Sequence, residues 1–191
     1  MNKITLLLGA AALTALTPVR ANFHFFDIQE VYSNADGSVQ FAELFTTFSG
    51  QQFLGGHSFT FDISGVPQNT LNLSNLGSDS ANKTVLIGTA NLGTLYGVTP
   101  DFTIPANFFS QGSTKTLNFA SGTDVVNLGS LPLDGTQSLN GVVANSTSTV
   151  TTINSQATPT NYAGQTAIVP EPSAALLSAL ALAGLLARRR R

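Results

Sequence analysis

The chain reads as an all-β protein, a β-sandwich with an apolar segment at each end. Three observations carry that reading. Between residues 22 and 168 no stretch sustains the 3.6-residue apolar period of an amphipathic helix. Short runs rich in Val, Ile, Phe and Thr recur instead, separated by Gly, Asn, Asp and Pro. The number of these runs, with glycine-rich turns and no fixed repeat period, fits two packed sheets rather than a propeller or solenoid.

Met1 to Ala21 has the layout of a secretory signal. Lys3 supplies the basic start, Ile4 to Leu16 the apolar core, and Val19-Arg20-Ala21 a small-x-small cleavage site after the helix-breaking Pro18. Cleavage is expected before Asn22, because about 13 apolar residues are too few for a stable span. Such a signal implies passage through the Sec export machinery.

The body, 22–140, is expected to hold strands at Phe25–Ser33, Ser38–Thr47, Ser58–Ile63, Thr84–Thr89, Asp101–Ile104, Thr116–Phe119 and Asp124–Leu128. Pro105 to Phe109 is expected to make one helical turn. In the first hairpin, Asp36-Gly37 is a two-residue turn signal between alternating runs. A two-residue turn there sets Tyr32 opposite Phe41 and Glu30 opposite Glu43, whereas a three-residue turn would offset the glutamates by one position. Two carboxylates face to face require a cation, a shared proton or several backbone donors. From Gly141 to Ile168, Ser, Thr and Asn take over, and the stretch reads as a final strand at Val150–Ile153 within a polar spacer.

The tail begins Val169-Pro170-Glu171-Pro172-Ser173. Both prolines fix φ and remove donors, so this stretch is expected to be extended and solvated, with Ser173 capping a helix. The span 173–187 is about 22 Å of apolar helix, against about 30 Å of bilayer hydrocarbon. Arg188, Arg189, Arg190 and Arg191 close the chain as a cytoplasmic stop, by the positive-inside rule.

Composition restricts the partners. The 191-residue chain carries eight Lys and Arg, but only Lys83 and Lys115 belong to the body. Nine body carboxylates face these two lysines and leave about −7 with His neutral. So acidic a body argues against nucleic acid and against charge-driven binding of anionic lipid. Cysteine is absent, which excludes disulfides and thiolate chemistry. His24 and His57 have no ligand spacing and read as structural. No Gly-x-Ser-x-Gly elbow and no phosphate-cradling glycine motif occurs. Asn34, Asp36, Gly37 and Glu43 overlay part of an EF-hand loop, but Tyr32 occupies its first ligand position and the hairpin accounts for the same residues. A separate Ca²⁺ site between Glu30 and Glu43 is the one metal expectation; no other cofactor is expected.

Two resemblances follow from these residues. Pro170-Glu171-Pro172, a short apolar segment and terminal arginines, in that order over 169–191, resemble the PEP-CTERM sorting signal. That resemblance implies tethering in the inner membrane of a Gram-negative bacterium, processing by an exosortase, and delivery to the cell surface or extracellular matrix. It also implies a link to exopolysaccharide or biofilm. Ile28-Gln29-Glu30-Val31 and Phe41-Ala42-Glu43-Leu44 resemble the opening of lamin-tail-like domains. Phe53-Leu54-Gly55-Gly56-His57-Ser58-Phe59, Lys83-Thr84-Val85-Leu86-Ile87, Leu131-Pro132-Leu133-Asp134-Gly135 and Ser138-Leu139 follow in the same order. Phe59 stands nearest the position of that family's usual Trp. This second resemblance implies an immunoglobulin-like β-sandwich and no particular activity. The expected function is therefore a non-enzymatic exported protein, with a Ca²⁺-dependent adhesive or carbohydrate-binding module as the alternative.

Overall fold

The computed structural model describes residues 25–110, 115–128, 130–140, 148–150, 152–154 and 156–170. The signal segment with Val19, Ala21 and Asn22 lies outside them, as do His24 and the tail from Glu171 through Pro172, Ser173 and the 173–187 span to the four arginines.

The described residues are all-β apart from one short helix. The elements run β1 (Asp27–Ser33), β2 (Gln40–Thr46), β3 (Ser58–Ile63), β4 (Val66–Asn72), β5 (Lys83–Thr89), α1 (Asn91–Tyr96), β6 (Phe102–Ile104), β7 (Lys115–Phe119), β8 (Asp124–Leu128), β9 (Ser138–Asn140), β10 (Ser148–Val150) and β11 (Thr152–Asn154). One sheet has the order β11-β9-β1-β2-β5-β6 and the other β10-β8-β7-β3-β4. Between them lies the main core, in which Ile28, Val31, Leu44, Val85 and Ile87 of the first sheet share a cluster with Phe59, Phe61, Leu117, Phe119 and Val126 of the second. Burying each such side chain contributes roughly 1.5–3 kcal/mol.

All seven expected strands form, with ends moved by two residues at most. β4 departs from expectation, since Pro67 and a polar sequence obscure it. It is the last strand of its sheet, where the missing proline donor costs no ladder bond. Ser64 and Gly65, with φ of 51° and 77°, make the primed two-residue turn into it from β3. The helical turn expected at 105–109 is not formed. Asn107 has φ of 59° there, and Gln40 clamps Phe109 by accepting its N–H (3.0 Å) and donating to its carbonyl (3.0 Å). The helix lies earlier, at α1, and ends where Gly97 takes φ of 76°. The single strand expected at Val150–Ile153 is instead two. β10 pairs with β8 in one sheet and β11 with β9 in the other, so the chain changes layers there.

The first hairpin keeps the expected register: Tyr32 faces Phe41, and Glu30 faces Glu43. Its turn is wider than two residues. Asn34 N–H reaches the Val39 carbonyl (3.0 Å), and Asp36 accepts from both the N–H (3.0 Å) and the hydroxyl (2.7 Å) of Ser38. A four-residue loop centred on the same pair preserves the pairing, because one residue is added on each side.

Candidate functional site

A register shift between Ile28 and Glu30 leaves Gln29 as an extra residue in β1. Counted from the turn, strict alternation would put Ile28 opposite Phe45, on the same face as Glu30 and Tyr32 and away from the main core. With the extra residue, Ile28 and Val31 both point inward, while Glu30 and Tyr32 keep the outer face that the turn assigns them. There they join Phe41 and Glu43 of β2 and Leu86 of β5. Tyr32 and Phe41 stack with ring centroids 5.2 Å apart. This face is covered by residues 156–169.

The covering segment is a hairpin. Asn161 N–H reaches the Gln165 carbonyl (3.0 Å), Ala167 N–H the Pro159 carbonyl (3.0 Å) and Val169 N–H the Ala157 carbonyl (2.9 Å). Thr160 and Thr166 bridge the two arms. Asn161 organises the turn: its Oδ1 accepts from Gln165 N–H (2.9 Å), and its Nδ2 donates to the Thr99 carbonyl (2.9 Å). Gly164 supplies the left-handed residue at φ of 81°.

Three carboxyl groups hold the inner arm. Thr158 donates its N–H (3.1 Å) and hydroxyl (3.3 Å) to the two oxygens of Glu30. Thr160 N–H donates to Glu43 Oε1. Tyr162 N–H donates to Asp101 Oδ2 (2.8 Å), which also accepts Leu86 N–H (2.8 Å). Alternate amides of the inner arm and its turn thus meet successive acids from β1, β2 and the approach to β6.

Burial sets the electrostatics of this row. Desolvation, then the charge of Glu30, pushes the Glu43 carboxyl up to about 8, although the Thr160 N–H pulls the other way. Desolvation also raises Glu30, against hydrogen bonds from Ser138 and Thr158. It raises Asp101 too, against the Leu86 and Tyr162 amides. Of the three ways to place two glutamates opposite each other, this arrangement uses backbone donors and favours retention of a proton near neutrality. The oxygens expected to bind Ca²⁺ receive the hairpin's donors. Among the described residues, no group of three or more His, Cys, Asp or Glu is placed to hold a metal ion.

The hairpin also buries apolar surface. Ala157 and Val169 are both 0 % exposed and pack with Tyr32, Val39, Phe41, Leu86, Leu92 and Val98 in a second cluster. Ala157 N–H bonds the Thr136 carbonyl (2.8 Å), and Tyr32 Oη donates to the Gly135 carbonyl (2.9 Å). Residues 156–169, expected from composition to be a spacer, are therefore folded onto the body. Val169, expected to be solvated, is core, while Pro170 beside it is exposed. Composition misled because the hairpin is held mainly through backbone amides, which no side-chain pattern advertises. His57 lies before β3, where its N–H bonds the Leu54 carbonyl (3.1 Å).

Among the described residues, Val169 is the last one in a core cluster. A family profile described as the PEP-CTERM protein-sorting motif matches residues 169–191. The chain thus carries the mark of an exosortase-sorted, exported protein that is anchored in a membrane before processing. No curated protein and no solved structure matches the chain. Among the described residues, no helix is long and apolar enough to cross a membrane.

Proposed function

We propose that this chain is a non-enzymatic protein of the cell surface or extracellular matrix of a Gram-negative bacterium, delivered by its tail. The sorting-motif match at 169–191 carries the reading. In it, Met1 to Ala21 directs Sec export and is removed before Asn22. The 173–187 span then holds the protein in the inner membrane, with Arg188 to Arg191 on the cytoplasmic side. An exosortase acts at Val169-Pro170-Glu171-Pro172-Ser173. The body is read as a lamin-tail-like, immunoglobulin-like sandwich. Support for this comes from two sheets over one core and from the pairing of Ile28-Gln29-Glu30-Val31 with Phe41-Ala42-Glu43-Leu44. Its role is one of binding or matrix building, with exopolysaccharide as the candidate partner.

The test is to delete residues 171–191. The full chain is expected to fractionate with membranes until processed, and the deleted form to appear in the soluble exported fraction. Unchanged membrane fractionation of the deleted form would overturn the reading.

A further inference from the structure

The packed position of Val169 changes the length of the tether. Were 141–168 a free spacer, its 28 residues would let the body stand up to about 95 Å from the membrane. With Val169 fixed in the second core cluster, only four peptide steps separate it from Ser173, at most about 14 Å of chain. If 173–187 is embedded, the part of the body around Val169 has to lie at the bilayer surface.

That part has a distinctive surface. Three segments converge around Tyr32: the hairpin through Val169, α1 through Leu92 and Tyr96, and residues 131–136 through the Tyr32–Gly135 bond. Each displays one large apolar side chain outward, namely Ile168 (57 % exposed), Leu95 (59 %) and Leu133 (38 %). Among the described residues only six large apolar side chains are exposed, so half of them belong to the segments around the tail's exit. Scattered exposed leucines are ordinary, but apolar residues beside a short membrane tether fit one occupant. Asp36 and Asp134 act on Tyr32 by their charge, so this end carries acids as well. Anionic headgroups are therefore a poor electrostatic match, and the contact is with apolar and zwitterionic interface.

We propose that the hairpin 156–169 is a clasp that seats the body on the bilayer, with Leu95, Leu133 and Ile168 forming its membrane-facing surface. The proposal rests on the reading of 173–187 as an embedded segment. The clasp is the carboxyl row of Glu30, Glu43 and Asp101 gripping the amides of Thr158, Thr160 and Tyr162.

The chain lacks cysteine, so single labels are easily introduced into the full-length protein. A fluorophore would be placed at Leu95→Cys, at Leu133→Cys, or at Thr70→Cys as a control. Thr70 lies on β4 of the second sheet, one layer away, about 10 Å. The protein is reconstituted into phosphatidylcholine vesicles containing headgroup-nitroxide lipid. Quenching at Leu95→Cys and Leu133→Cys is expected to exceed that at Thr70→Cys by threefold or more. Adding Thr160→Pro, which removes the donor to Glu43, should reduce both to the control level while circular dichroism still shows a folded β protein. Equal quenching at all three sites in protein that floats with the vesicles overturns the clasp and leaves the tail reading standing. Failure to float with the vesicles overturns the tail reading and the clasp surface with it.

Discussion

Glu30 and Glu43 show how register sets chemistry. The turn puts Glu30 opposite Glu43 on the face shared with the hairpin, and the extra Gln29 beside them returns Ile28 to the main core. Glu43 is raised to about 8 in the folded state, from a reference near 4.5, by desolvation first and the charge of Glu30 second. A raised folded value means that the group favours folding fully below pH 4.5, and that this contribution is lost as pH climbs toward 8. The melting temperature is therefore expected to fall between pH 5 and 8. Glu43→Gln keeps an acceptor for Thr160 and removes the titration, so its calorimetric pH profile should be flatter. Each kcal/mol is worth about 2–4 °C in a domain of this size. Glu30, Asp101 and Asp124, also raised by burial, remain in the variant and supply the residual slope. An unaltered profile in Glu43→Gln would exclude Glu43 as the titrating group. The opposition of the two glutamates was legible in the sequence, since Asp36-Gly37 centres the register. Their partners were not, because Thr158 lies 128 residues beyond Glu30 and donates mainly through its backbone.

At the scale of elements, legibility followed side-chain alternation. β8 appears with the expected ends because it alternates cleanly between core and surface, and β3 does so up to the irregularity at Phe61 and Asp62. β4 alternates weakly, contains Pro67 and sits at an edge. The hairpin 156–169 shows even less pattern, since its buried Ala157, Pro159, Tyr162 and Val169 follow no regular period and its large apolar Ile168 is exposed. A direct measure of this element is Val169→Ala in urea. For a residue in a solvated linker the substitution would be neutral, within about 0.5 kcal/mol. For a side chain packed among Tyr32, Phe41 and Leu92 it should cost about 1–3 kcal/mol and lower the midpoint without changing the slope. Gly88 lies against Leu92 and Phe41 of the same cluster. A Cβ there would lie 2.3 Å from Leu92 Cδ1 and 3.2 Å from the Gln40 carbonyl, so α1 can approach β2 only because this residue has no side chain.

At the scale of the molecule, charge and anchoring separate cleanly. The near-neutral total of −2 hides the acidic body, because six of the eight basic residues sit in the two terminal segments. An acidic body gains nothing from anionic headgroups, so its membrane association should rest on apolar contact. Extraction of membranes with 1 M NaCl, which reduces the Debye length to about 3 Å, is accordingly expected to release none of the full-length protein, while detergent releases all of it. Release by salt would show attachment through charged partners instead. The all-β class and the tail were legible because each rests on local pattern. The packing of 156–169 onto the sheet was not, because it depends on contacts between distant parts of the chain.

The change of layers between β10 and β11 has a consequence in time. β1, made first, sits mid-sheet and waits for β9, and the face it shares with β2 is closed by residues 156–169. Ordering such distant partners is slow, because the loop between them must close before any contact rewards it. The fold therefore completes only after nearly all of the body has been synthesised and exported. Val169, the last core residue among those described, is made just before the rest of the sorting motif, so a body that folds slowly meets its address label unfinished.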